Sequence, residues 1–237
     1  MTGVTPCNHA GNSSGEKVHF YTQFSIVLHF HTWIHLQDPR VSGTNTKMAD
    51  NSQLTAQNLF NIKNWICIVT GGGTGLGLMT ANTLAANGAK VYITGRRLEK
   101  LQAAETKDSA SGGSITAIQL DVTDKQSILD FAQQLGEKET HVNLLVNNAG
   151  QSSVNYGEQW TPHGDPKEVS ERMLSYQGFD EWTNIYKVNV ASLYFVSIAL
   201  LPLLCKARDN GYTEAGNIIN ISSISGLTKE SQWGQFR

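Results

Sequence analysis

With 237 residues, the chain is long enough for one α/β domain with a tail, or barely for two small domains. A net charge of −2 and a 16% share of charged residues give no electrostatic argument for nucleic acid or an anionic membrane surface as a partner. The three cysteines, Cys7, Cys67 and Cys205, stand far apart and form no Cys-x-x-Cys, so neither a zinc site nor a disulfide framework is signalled, and a reducing, cytoplasmic setting is expected.

Residues 1–47 differ in character from the rest. They are rich in Gly, Asn, Ser and Thr, with His19, His29, His31 and His35 set around an apolar patch. Residues 18–36 are the one candidate membrane segment, and Gln23 with the four histidines makes it too polar for a span. It also lacks a basic start and a small-residue cleavage site. His29-x-His31 with His35 has no acidic or cysteine partner, so no metal site is expected. Met48-Ala49-Asp50 reads as an ordinary start. The expected division is therefore an unstructured or spurious extension over 1–47 and one domain over 48–237.

From Asn61 onward strands and helices alternate. Residues 66–69 predict a buried strand. Residues 75–87 predict a helix stopped by Gly88, 90–94 a second strand, and 98–107 a second helix. Gly112-Gly113 is a turn before a third strand over 115–120. A helix over 125–138 is capped by Thr123 or Asp124, and a fourth strand covers 142–146. A helix over 188–208 contains Pro202, which predicts a kink, and 217–221 is a fifth strand. The stretch 151–180 breaks the rhythm and reads as a lid or binding loop, with 167–176 as a short helix of its own. Alternation of this kind implies a parallel, doubly wound α/β sheet of Rossmann type, with ligands beyond the carboxyl ends of the strands.

The first strand runs into Thr70-Gly-Gly-Gly-Thr-Gly-Leu-Gly77 and then into a helix. Glycines let the backbone turn sharply and approach a ligand, and the helix that follows turns free N–H groups and a positive dipole end toward the turn. The arrangement suits a dinucleotide pyrophosphate. A second argument bears on which dinucleotide. A nicotinamide enzyme using NAD carries a carboxylate at the end of its second strand for the ribose 2′-hydroxyl. Here that end reads Thr94-Gly95-Arg96-Arg97, with two guanidinium groups and no acid, which favours the 2′-phosphate of NADP.

Five motifs agree in order and spacing: Thr70 to Gly77, Asp121-Val122, Asn147-Asn148-Ala149-Gly150, Lys187-Val-Asn189-Val190, and Asn220-Ile-Ser-Ser223-Ile-Ser-Gly226. Together they resemble the classical short-chain dehydrogenase/reductase family over about 61–227. The loop after the fourth strand and the tail near Trp233 are similar to fungal members. The resemblance implies that Gly71, Gly75, Leu76 and Gly77 cradle the pyrophosphate. It implies that Asp121 and Val122 contact the adenine, and that Asn148, Ala149 and Gly150 line the floor beside the nicotinamide ribose. Lys187 is implied as a further cofactor contact. Ser223 is implied as the hydroxyl that binds a substrate carbonyl, and Asn189 as the asparagine of the proton relay.

The same resemblance exposes a gap. The family's acid/base is a tyrosine followed four residues later by lysine, because a phenol near pKa 10 needs a neighbouring cation to work at neutral pH. None of the seven tyrosines here is followed by lysine at that spacing. The expectation is a chain that stops short of that motif and lacks the family's C-terminal strands, leaving the fifth strand as an edge and favouring association. The resemblance thus implies an NADP-dependent oxidoreductase acting on a small-molecule carbonyl or secondary alcohol, able to form homo-oligomers. The alternative is a nucleotide-binding pseudoenzyme that transfers no hydride.

Overall fold

The computed structural model describes residues 60–107, 111–152, 165–176, 178–210 and 215–223. The extension expected over 1–47 therefore lies outside the described residues, as do Tyr156 and Trp160 of the long loop. Five parallel strands form one sheet: β1 (Ile66–Thr70), β2 (Lys90–Gly95), β3 (Ser114–Gln119), β4 (Leu144–Asn147) and β5 (Asn217–Asn220), in the order β3-β2-β1-β4-β5. The strand order reverses beside β1: β2 and β3 build outward on one side, β4 and β5 on the other. This is the doubly wound Rossmann-type sheet that the alternation implied.

Alternation along β1 divides the core. Ile66 and Ile68 point into one layer with Tyr92, Ile118 and Leu145, and Cys67 and Val69 point into the other with Val91, Ile93 and Val146. The first layer is closed by helix α3 (Lys125–Lys138), through Ile128, Phe131 and Leu135, and by α6 (Ser192–Asp209), through Val196, Leu200 and Leu204. The second is closed by α1 (Gly75–Ala86) and by Leu101 of the short α2 (Leu98–Gln102). The buried stripe of α1 is Gly77, Ala81 and Ala85, small residues four apart that bring the helix close to the sheet. Asp124 caps α3 as expected, its carboxylate accepting the Ser127 amide at 2.9 Å.

Two elements depart from expectation. The helix expected over 98–107 ends at Gln102, and Thr106 turns back to pair antiparallel with Ile115. Glu105 accepts the Ala117 amide at 2.9 Å, so this segment satisfies backbone groups on the outer edge of β3 that a longer helix would leave bare. The helix expected over 188–208 starts nine residues earlier. After α4 (Pro166–Tyr176), α5 (Phe179–Tyr186) leads through a π-helical turn, Lys187–Ala191, directly into α6, a continuous 31 residues. Asp180 and Glu181 in the first turn favour that early start through the helix dipole. By length and composition this helix could cross a membrane, but its Val188, Val196, Leu200, Leu203, Leu204 and Ala207 are buried in the protein. At the far edge, β5 leaves Ile219 44% exposed, and Ile221 just beyond it is 47% exposed.

Candidate functional site

The crevice where the strand order reverses lies between the carboxyl ends of β1 and β4, the place where this architecture binds ligands. Here the two strand ends are tied together by side chains. The Thr70 hydroxyl accepts the amides of Asn148 and Ala149, each at 3.0 Å, and donates to the Val146 carbonyl at 3.5 Å. Asn148 answers from the other side, its Nδ2 donating to the Thr70 carbonyl at 2.9 Å and the Gly71 carbonyl at 3.4 Å. Gly71, Asn148 and Ala149 are thus brought into one unit.

The glycine turn fits a diphosphate. Gly71 and Gly75 hold φ of 66° and 56°, a conformation that costs other residues strain. A Cβ on Gly71 would stand 3.0 Å from the Ala149 Cα, whereas one on Gly75 would meet no atom within 4 Å. A Cβ on Gly77 would collide with the Gly71 carbonyl oxygen and the Asn148 amide. Thr74 precedes α1 without any side-chain cap, and no acidic residue sits in the first turn, so the positive end of the helix is left for an anion. Leu76, next to it, is 70% exposed on this rim.

The rest of the candidate set follows the carboxyl ends of β2, β3, β4 and β5 or lies in the π-helical turn. Asp121 and Val122 follow β3. The Asp121 carboxylate accepts the amide and the hydroxyl of Thr123 at 2.9 and 2.7 Å, which shapes the turn, and Val122 packs on the core. Gly150 is exposed, and the next residue is pinned: Asn189 accepts the Gln151 amide at 2.9 Å and donates to the Gln151 carbonyl at 2.7 Å. Asn189 reaches it from the π-helical turn, in which Lys187 is exposed. π turns re-aim side chains within a helix and often mark functional sites. Arg96 and Arg97 follow β2, both exposed, with no ion-pair partner among the described residues. Ser223 lies three residues beyond β5, exposed, at the end of a described segment.

Asn147, which motif reading left without a role of its own, joins the two halves. It is buried, and its Nδ2 donates to the Asn220 side chain at 2.9 Å and the Ser197 hydroxyl at 3.1 Å. Its carbonyl accepts the Ile221 amide at 2.9 Å. Asn147 therefore sets the strand end that leads to Ser223, while Asn148 sets the glycine turn. Thr70 was legible as a motif position, but its three-way bonding was not. Among thiols, burial pushes Cys67 up to about 12, so it is an inert core residue and no nucleophile.

A family model described as short chain dehydrogenase matches residues 65–236. The chain belongs to the short-chain dehydrogenase family. Among short-chain dehydrogenases it is 39% identical over 169 residues to the short-chain dehydrogenase/reductase VdtF of Byssochlamys spectabilis, covering 70% of this chain and 54% of that one. It is 36% identical over 172 residues to PhomF of Diaporthe leptostromiformis, covering 72% and 58%. The chain thus spans little more than half the length of these curated relatives. Of solved structures, the RhlG/NADP active-site complex of Pseudomonas aeruginosa superposes with a TM-score of 0.56 at 30% identity, over 74% of this chain and 60% of that one. A metagenomic short-chain oxidoreductase in complex with NADP gives 0.56 at 28% identity, over 73% and 72%.

Proposed function

We propose that this chain is the nucleotide-binding part of an NADP-dependent oxidoreductase that moves hydride between the cofactor and a small-molecule carbonyl or secondary alcohol. The observation that carries the reading is the lock of Thr70, Gly71 and Asn148 at the strand-order reversal, with open space at Gly75 and α1 uncapped. NADP, when bound, supplies or takes up the hydride. In this reading Gly71, Gly75, Leu76 and Gly77 bind the pyrophosphate, and Asp121 and Val122 border the adenine. Asn148, Ala149 and Gly150 form the floor beside the nicotinamide ribose, with Lys187 as a further contact. Arg96, aided by Arg97, pairs with the 2′-phosphate, and two similar solved proteins were determined with NADP. Ser223 donates a hydrogen bond to the substrate oxygen, and Asn189 keeps the 150–151 turn in place for proton relay.

The second reading is a binding module, and one observation favours it: no Tyr-x-x-x-Lys occurs in these 237 residues. Incubation with NADPH and a panel of aldehydes and ketones, followed by loss of nicotinamide absorbance, separates the two. Binding without turnover supports the binding module. Turnover assigns the proton donor to another residue, with Tyr156 and Tyr176 the ones to mutate. Copies are proposed to associate along the 31-residue helix, where Trp182, Tyr186, Tyr194 and Ile198 recur four or eight apart and stay 43–62% exposed. A reducing, cytoplasmic setting is part of the proposal, in keeping with Cys67 and Cys205 forming no disulfide with each other. The relatives from two fungi, B. spectabilis and D. leptostromiformis, support a fungal-type member.

A further inference from the structure

The segment that carries Arg96 is held from both sides as it leaves β2. Three successive carbonyls accept hydrogen bonds from two sides. Thr94 O accepts the Gly72 amide at 3.1 Å, from the glycine turn. Gly95 O accepts the Leu120 amide at 3.0 Å, from beyond β3. Arg96 O accepts Nε2 of Gln119 at 2.9 Å. The first two bonds are backbone to backbone and belong to the fold. Only the third depends on a side chain. Gln119 is the last residue of β3, exposed, and its amide reaches sideways to the neighbouring strand's exit.

We propose that Gln119 is a positioning residue for dinucleotide selectivity: by holding the Arg96 carbonyl it fixes the point from which the Arg96 guanidinium reaches for a ribose 2′-phosphate. The inference rests on the NADP reading above and deepens it. A long arginine on a free loop must lose both backbone and rotamer freedom when it grips a phosphate, and a backbone already fixed removes part of that cost. The anchor also sets Arg96 against the glycine turn, because the Thr94 bond to Gly72 ties the same segment to the turn proposed to hold the pyrophosphate. The effect belongs to the 2′-phosphate alone. A nucleotide without that group gains nothing from Arg96, so Gln119 separates NADPH from NADH and leaves affinity for NADH unchanged.

The test is fluorescence titration of the 237-residue chain with NADPH and with NADH, for the parent, Gln119→Met, Arg96→Ala and the double variant. Methionine matches the length of glutamine without the donor. Loss of one hydrogen bond corresponds to an NADPH Kd about three- to tenfold higher for Gln119→Met, with the NADH Kd unchanged. In the double variant NADPH binds no more weakly than in Arg96→Ala, since the anchor has nothing left to aim. An unchanged NADPH Kd in Gln119→Met, or equal weakening of both nucleotides, overturns the proposal. Arg96→Ala reads the underlying premise separately. If it leaves the NADPH-to-NADH ratio at the parent value, the cofactor reading itself fails, and this inference with it.

Discussion

Thr70 and Gly77 are the two residues on which the crevice turns. Thr70 is 2% exposed, and its hydroxyl serves two amides and one carbonyl. Thr70→Val keeps the shape and removes the oxygen, so two amides lose their acceptor. The expected loss is about 1–3 kcal/mol of stability in urea titrations, with Thr70→Ser close to the parent. Gly77→Ala inserts a methyl against the Gly71 carbonyl and the Asn148 amide, the two groups that shape the turn. NADPH affinity in that variant should fall more than tenfold, on the order of the 1.4 kcal/mol that separates a decade, as measured by fluorescence. Gly75→Ala differs because its Cβ meets no atom within 4 Å, leaving only the strain of its φ of 56°.

Between elements, polar side chains add ties to the backbone ladders. Asn147 joins β4 to β5 and α6, Asn189 joins the π-helical turn to Gln151, and Glu139 joins the end of α3 to the start of β2. Glu139 accepts the hydroxyl of the buried Tyr92 and pairs with Lys90. Burial, with Glu139 reinforcing it, pushes the Tyr92 phenol up to about 12. Alkaline ultraviolet titration should therefore find one tyrosine ionising late, and Glu139→Gln should move that step toward the ordinary range. Much at this scale was legible in the sequence. The strands were, because a buried strand is a short apolar run, and α3 was, because Asp124 and the spacing of Ile128, Phe131 and Leu135 agree. The π-helical turn was not. It carries Asn189, whose bonds to Gln151 span 38 residues, a contact that no local pattern records. The early end of α2 was missed for a similar reason, since its apolar spacing continues while Thr106 is claimed by the edge of β3.

At the scale of the whole molecule, two ends of the sheet behave differently. The carboxyl ends carry the proposed site, and the amino ends carry a structural polar cluster that includes His141. Burial is the main cause that holds the His141 imidazole below its ordinary pKa, so the folded protein keeps it neutral. The unfolded chain takes up that proton first. Stability from this residue is therefore full above the unfolded value of about 6.5 and declines as pH falls from there toward the lower folded value. His141→Gln should flatten that part of the stability–pH curve in denaturant titrations. The doubly wound parallel sheet was legible because strand–helix alternation and five motifs all point to one architecture, while the strand order came from the structure. The side-chain tie that holds β4 to β5 was not, since it depends on the Asn147–Asn220 contact between strands.

The measurement that bears most directly on the account is calorimetric titration of the unmodified chain with NADPH and with NADH. The account predicts one NADPH bound per chain, with NADH weaker by about tenfold or more, as a charge-assisted contact to the 2′-phosphate requires. Binding of neither nucleotide, or NADH bound as tightly as NADPH, would contradict it.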